Sequence, residues 1–342
     1  MKIAKPLLVS AAVAALSSAA IAGGHAQVPQ PDAVTSRFLA ALNSQSGPGL
    51  ETLPPAKARQ VLVDAQKSVV VDVSGIEVSN RTIEQDGIAV SITIVRPQGV
   101  TGTPPVFMYF HGGGWVLGDF PTHERLVRDL VVQSGAVAVF VNYTPSPEAR
   151  YPVAINQAYA ATKWVAAHGE EIGVDGKRLA VVGNSVGGNM AAVVALMAKD
   201  KGGPKIAFQG LLWPVTDHDF DNGSYNAYQK DYFLTRPMMK WFWDAYTKSE
   251  AQRNEIYASP LRASDAQLKG LPPALIEVAQ FDVLRDEGEA YGRKLDAAGV
   301  EVATVRYDGT IHDFGLLNAL AGDAPTKAAL RAMANELRIR LQ

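Results

Sequence analysis

The stretch "LAVVGNSVGGNMAAVVALMAKD", Leu179 to Asp200, decides how the rest of the chain reads. It opens on a continuous apolar run, the mark of a strand buried on both faces of a parallel sheet, and closes on an alanine-rich segment that favours a helix. Between them stands Gly183-Asn184-Ser185-Val186-Gly187. A strand that turns this sharply into a helix strains the backbone at the serine and needs no bulk at the two flanking glycines. Such a turn lifts the Ser185 hydroxyl to the top of the sheet and makes it the candidate nucleophile. Gly-x-Ser-x-Gly by itself is a weak signal; its place after a buried strand and before a helix gives it meaning.

Upstream, "PPVFMYFHGGGWVLGD" sets His111, Gly112, Gly113, Gly114 and Trp115 directly after another strand. Consecutive glycines let main-chain N–H groups converge on one oxygen, as a tetrahedral intermediate with a developing negative charge requires. A phosphate cradle is the competing reading, but no Gly-Lys-Ser/Thr follows and no Gly-x-Gly-x-x-Gly opens a helix. The N–H of Val186, next after the serine, would complete the oxyanion hole.

A serine nucleophile needs a base, and the chain has six histidines. His25 falls in the N-terminal segment discussed below, His111 belongs to the glycine loop, and His123 and His168 fall on helical segments before the serine. Where the order along the chain is nucleophile, acid, base, the base leaves a late strand. His312, after "VATVRYDG", satisfies that order and His218 does not. The orienting acid then belongs at the end of "ALIEVAQFDVLRDEG", where Asp282 sits at the corner. Asp286 and Glu287 are the alternatives, but they fall in the first turn of the next helix, where acids commonly offset the macrodipole.

The remaining chain alternates strands and helices. Extended candidates are 77–82, 90–95, 106–110, 137–142, 179–182, 206–213, 274–278 and 303–307, with helices at 123–134, 155–168 and 286–298 and a last one closing the chain. This is an α/β pattern with a mostly parallel sheet. Two stretches interrupt it: 31–69, which reads as helical, and 217–262, which clusters Tyr225, Tyr228, Tyr232, Phe233, Trp241, Phe242, Trp243 and Tyr246. They read either as a lid over an apolar pocket or as aromatic packing of helices onto the core. No period of 20 to 50 residues repeats, which excludes solenoids and propellers.

Composition narrows the classes further. The chain has 342 residues, 47% hydrophobic and 19% charged, with formal net charge −2 and no cysteine. It is neither disordered nor fibrous. It lacks the basic footprint of a nucleic-acid binder, and disulfides, thiolate metal sites and a cysteine nucleophile are excluded. Residues 1–26 read as a secretory signal peptide: Lys2 and Lys5, an alanine-rich apolar run, then small residues around Ala20, Ala22 and Ala26. An exported protein, periplasmic or secreted, with no stable membrane span after cleavage, is the expectation. "DHDFDNG" from Asp217 resembles the start of an EF-hand loop, but position six is Asn222 and position twelve Tyr228, so no calcium site is expected.

Together these motifs resemble the hormone-sensitive lipase family of carboxylesterases, bacterial esterase family IV. "HGGGWVLGD" is similar to its glycine loop, "GNSVGGN" to its Gly-Asp-Ser-Ala-Gly-Gly-Asn elbow, "FDVLRDEG" to its Phe-Asp-Pro-Leu-Arg-Asp-Glu-Gly, and "IHDFG" to its histidine loop. The resemblance covers most of the chain after the signal segment. It implies an α/β-hydrolase fold in one domain over 27–342, a helical cap from about 27–70 and 217–262, the triad Ser185, Asp282 and His312, and oxyanion donors Gly113, Gly114 and Val186 with Gly112 nearby. Departures are Asn184 in place of Asp, Val186 in place of Ala, Asn142 and Thr144 where an Asp and an Arg are usual, Val283 in place of Pro, and Asp313 after His312 where Gly is frequent. The implied function is hydrolysis of short to medium acyl esters through an acyl-enzyme, with no cofactor or metal, by a monomer or homodimer. The same triad would also serve an amidase, a peptidase or an acyltransferase, and a silent ligand-binding relative is the alternative outside enzymes.

Overall fold

The computed structural model describes residues 29–342. The expected signal segment, 1–26, lies outside the described residues. Eight strands form one sheet: β1 (Ile76–Gln85), β2 (Ile88–Pro97), β3 (Pro105–Phe110), β4 (Val137–Asn142), β5 (Asp175–Asn184), β6 (Phe208–Leu212), β7 (Ala274–Phe281) and β8 (Val302–Ile311). Their spatial order is β1-β2-β4-β3-β5-β6-β7-β8. Only the β1–β2 and β2–β4 pairs are antiparallel; every other neighbour runs parallel. A parallel sheet needs both faces covered. The central strands show why: Val106, Met108 and Phe110 pack on one side of β3 while Phe107 and Tyr109 pack on the other.

The helices are α1 (Ala33–Asn43), α2 (Pro55–Lys67), α3 (Phe120–Ser134), α4 (Val153–His168), α5 (Val186–Asp200), α6 (Gly223–Tyr228), α7 (Arg236–Tyr246), α8 (Glu250–Arg253), α9 (Asp265–Leu268), α10 (Arg285–Ala297) and α11 (Ala324–Arg340). Leu126 and Leu130 of α3 and Met333 and Leu337 of α11 cover the Phe107 face. Buried residues of α4, α5 and α10, among them Ala158, Val194 and Leu295, cover the other. Polar caps start the helices where the sequence offers them. Asp32 accepts the N–H groups of Val34 and Thr35, Asn222 that of Tyr225 and Thr235 that of Met238, while Asp119 forms a capping box with Thr122.

All eight expected strands are present; β4 has the expected bounds and the other seven have shifted ends. The shifts at β7 and β8 bear on function: β7 runs on to Phe281 and β8 to Ile311, so each stops one residue short of a candidate site residue. β6 ends at Leu212, before the expected Trp213, whose φ of +38° leaves the extended region. The two interrupting stretches are helical. In the first, α1 is tied to the sheet by Asp32 N–H donating to Gly309 O at 2.9 Å. Gln66 pins α2 by donating to Thr122 O and Leu316 O at 2.7 and 3.1 Å. In the second, α7 lies over the glycine loop: Trp115 stacks on Tyr246 with centroids 3.9 Å apart and meets Trp243 edge-on at 5.0 Å. Among the described residues no helix is long and apolar enough to cross a membrane.

Candidate active site

Ser185 joins β5 to α5 with φ +56° and ψ −121°, a conformation that ordinary residues avoid. Three main-chain hydrogen bonds hold it there: its N–H donates to Leu212 O at 2.8 Å, and its carbonyl accepts from Asn189 N and Val215 N, both at 3.1 Å. The flanking glycines are obligatory. A Cβ on Gly183 would lie 2.2 Å from Gly187 O, and one on Gly187 would lie 1.9 Å from Phe110 O. Ser185 occupies the N-cap position of α5, yet its side chain makes no capping bond. The hydroxyl turns instead to His312 Nε2 at 3.0 Å, and His312 Nδ1 meets Asp282 Oδ2 at 2.7 Å.

The three residues arrive from three strand ends. Asp282 follows β7, its Oδ1 fixed by the Leu284 N–H at 2.9 Å, and His312 follows β8. All three are at least 96% buried. Burial pulls the His312 pKa down, but the charges of Asp282 and Asp313 and the hydrogen bond that His312 donates to Asp282 outweigh it, so the imidazole is more basic than an ordinary histidine. Asp286 and Glu287, the alternative acids, face elsewhere. Asp286 accepts from Ser224 N and Arg285, and buried Glu287 accepts the N–H groups of Thr216 and Asp217. His218 sits against Ser259 Oγ at 3.2 Å, apart from this chain of bonds.

The glycine loop packs against the residues that flank the serine, Gly112 against Asn184 and His111 against Gly187. Gly113 and Gly114 have φ of +99° and +63°, and a Cβ on Gly114 would fall 2.0 Å from the Phe242 ring of α7. Val186 is the first residue of α5, so its N–H has no partner within the helix. Gly112 plays a different part. Its N–H donates to Asn184 Oδ1 at 2.9 Å, and its carbonyl accepts from His111 Nδ1 at 2.8 Å. That carbonyl and the Gly113 N–H belong to one planar peptide and point opposite ways, so the His111 bond aims the Gly113 N–H. His111 is itself held between Phe140 and Tyr143, stacked at 5.3 and 4.1 Å. Burial lowers its pKa to about 4, so it acts here as a neutral donor.

Three features were not legible from the motifs. Asn184, read in the sequence as the loss of a charge, donates through Nδ2 to Asp313 Oδ1 at 3.0 Å across 129 residues of chain. Trp213 Nε1 donates to the same oxygen at 2.6 Å. Arg59 of α2 donates to Val116 O at 2.7 Å, to Ser146 O at 3.0 Å and to both oxygens of Glu148, fastening the first interrupting stretch to the loop after the glycines. Asn142 and Thr144, which stand where an ion pair is usual, make neutral bonds to Thr93 and Gln157.

A family model described as alpha/beta hydrolase fold matches residues 107–316, the span that holds the glycine loop, Ser185, Asp282 and His312. The chain belongs to the α/β-hydrolase family. Relatives carry the reading further. The α/β-hydrolase chain is 36% identical over 262 residues to a carboxylesterase, NlhH, of Mycobacterium tuberculosis, covering 76% of this chain and 82% of that one. It is 33% identical over 247 residues to an ethyl acetate hydrolase of Pseudomonas putida, covering 70% and 76%. The crystal structure of a thermostable esterase from Pseudomonas putida superposes with a TM-score of 0.91 at 64% identity, over 92% of this chain and 99% of the other. The four ordered motifs and these relatives place this α/β-hydrolase among the carboxylic ester hydrolases of hormone-sensitive lipase type.

Proposed function

We propose that the enzyme hydrolyses esters of short to medium acyl chains through an acyl-enzyme on Ser185. The observation that carries the reading is the unbroken chain from Ser185 Oγ through His312 to Asp282, mounted on a strained elbow. Neutral His312 takes the serine proton as Oγ attacks the ester carbonyl, and Asp282 stabilises the imidazolium so formed. The N–H groups of Gly113, Gly114 and Val186 receive the oxyanion. The imidazolium then gives its proton to the departing alcohol. Water, deprotonated by His312, attacks the acyl-enzyme and frees the acid.

The size limit rests on the roof. We take about 27–70 and 217–262 as a cap, which is supported by α7 closing over the glycine loop with Phe242, Trp243 and Tyr246 close-packed against it. Such a lid favours small acyl groups over triglycerides. In keeping with this, a mutant of the structurally similar esterase rPPE, 63% identical, was crystallised with (S)-Ac-CPA. The lysine-led apolar segment at residues 1–26 supports export to the periplasm or medium, where such an enzyme would meet esters from outside the cell.

The test is hydrolysis of p-nitrophenyl esters graded from acetate to palmitate, with Ser185→Ala and His312→Ala in parallel. Turnover peaking at short chains and abolished in both variants is expected. Turnover that persists in Ser185→Ala, or peaks at palmitate, overturns the proposal. A folded enzyme inert on every ester but active on anilides would make it an amidase.

A further inference from the structure

The acid that the family carries beside its nucleophile is missing here, and a carboxylate appears beside the base instead. Asn184 occupies the first position and Asp313 the second, and the two side chains touch. The Asn184 amide has no freedom to rotate. Its oxygen accepts from Tyr109 OH and from Gly112 N–H, both at 2.9 Å, and its nitrogen must then face Asp313 Oδ1. Asp313 Oδ1 accepts from the Trp213 indole as well, at 2.6 Å, and its Oδ2 lies 3.8 Å from His312 Nε2, the nitrogen that carries the transferred proton. One carboxamide thus joins the oxyanion loop, the nucleophile elbow and the base loop. Asn184 is no more than 1% exposed and Asp313 7%.

We infer that Asn184 and Asp313 act as one positioning pair, in which the carboxamide at 184 is required because the carboxylate stands at 313. Asn184 orients Gly112, and through it the glycine N–H donors, only while its nitrogen is engaged by Asp313. Asp313 in turn lends its charge to the imidazolium of His312. A carboxylate at 184 would keep both bonds to Tyr109 and Gly112 but would set two acceptors against each other at the 3.0 Å contact. Buried acids at that distance cannot both ionise and must share a proton. The titratable and charged groups around the pair are Tyr109 on β3, His111 in the glycine loop, His123 and Arg125 on α3, and His312 and Asp282. Arg125 is spent on Gly315 O and Leu316 O at 2.7 Å each, so among the described residues no arginine or lysine pairs with either side chain.

The inference rests on the proposed triad, and the experiment separates the two. Full-length enzyme would be assayed for kcat and KM on p-nitrophenyl butyrate from pH 5.5 to 9, with product read by chromatography. The set is wild type, Asn184→Asp, Asp313→Asn and the double variant, with Ser185→Ala as the control for the triad itself. Asn184→Asp is expected to lose about tenfold or more in kcat at pH 8, with little change in KM, and to regain activity as pH falls and the shared proton is restored. Adding Asp313→Asn leaves a single carboxylate in the pair, so the pH dependence of the loss should vanish and about threefold should return at pH 8, recovery being partial because the Trp213 indole needs an acceptor at the same position. Asp313→Asn alone keeps an oxygen for Asn184 and Trp213 but takes a charge from beside the imidazolium, so kcat should fall about three- to tenfold and the acid limb should move to lower pH. If Asn184→Asp gives too little folded enzyme at pH 8, its Tm replaces kcat: it should fall with rising pH and recover in the double variant. Parallel pH profiles for Asn184→Asp and wild type, or single-variant effects that simply add in the double, overturn the pairing. Activity surviving in Ser185→Ala would instead overturn the triad.

Discussion

Replacing Asp282 with Asn removes one charge and almost no volume, so its consequence can be worked from two distances. Asp282 Oδ2 receives the His312 Nδ1–H at 2.7 Å, and Oδ1 receives the Leu284 N–H at 2.9 Å. An amide can offer an oxygen to only one of these donors. If it keeps the Leu284 bond, its NH2 faces His312, which must turn its proton to Nε2 and can no longer accept from Ser185. If it keeps the His312 bond, its NH2 collides with the Leu284 N–H in a site where no water can intervene, and the backbone after β7 must shift. The first outcome loses the correct tautomer and the second displaces the residue that orients the base, and such a loss costs a triad about 1,000 to 10,000-fold in kcat, or roughly 4 to 5.5 kcal/mol. The pH profile moves as well. His312 is raised in the wild type against the pull of burial, largely by the Asp282 charge. Since the base acts when neutral, wild-type kcat/KM should rise through an apparent pKa above the ordinary 6.5, and in Asp282→Asn that limb should move to lower pH. Steady-state assays on p-nitrophenyl butyrate over pH 5 to 9 read both effects, with Asp286→Asn, whose carboxylate serves Ser224 and Arg285, as a control staying within about threefold. An Asp282→Asn enzyme within tenfold of wild type and with an unmoved acid limb would refute the reasoning.

Other substitutions test separate parts of the scaffold. Gly187→Ala places a methyl 1.9 Å from Phe110 O, a backbone atom that cannot step aside, so stability should fall by about 3 kcal/mol or more in urea titrations; an unchanged midpoint would contradict the elbow geometry. Arg59→Ala releases α2 from Val116 O, Ser146 O and Glu148, which should cost about 1 to 2 kcal/mol and speed amide exchange in residues 55–67 and 113–118. Tyr291 has a fully buried hydroxyl with no hydrogen-bond partner among the described residues, so Tyr291→Phe should leave Tm unchanged or raise it by an amount worth about 1 kcal/mol. His312 favours its protonated form in the folded state. Its contribution to stability should therefore be complete below pH 6.5 and fade as pH rises through the folded pKa, a slope that His312→Gln removes.

What the sequence disclosed and what it withheld divide along physical lines. Strand periodicity and glycine spacing are local, and they placed Ser185, the glycine loop, Asp282 and His312 at strand ends without any tertiary information. Elimination by chain order separated His312 from His218, and the structure puts His218 beside Ser259. Asn184 and Asp313 were each visible as departures from a pattern, but their contact joins points 129 residues apart and no local rule anticipates it. Arg59 carried no signal at all: a lone arginine on a helix reads as solvated until the carbonyls it reaches are known. Strand ends were misjudged most at β5 and β8, where the ladder continues beyond the apolar run that announces it.

The fit of Phe242 over Gly114 has a consequence for anyone recombining these enzymes. Caps are treated as exchangeable modules that set substrate range while the body keeps the chemistry. Here the ring of α7 fills the space a side chain at Gly114 would need, Trp115 lies flat on Tyr246, and Tyr151 N–H and Arg150 reach up to the carbonyls of Tyr246, Asp244 and Thr247. A chimera cut at residues 217 and 262 would therefore import a foreign underside for the glycine loop. Its losses would surface in kcat before they surfaced in specificity. The natural unit of exchange is α7 together with residues 111–118 and 146–151, a patchwork contiguous in space and scattered in the gene.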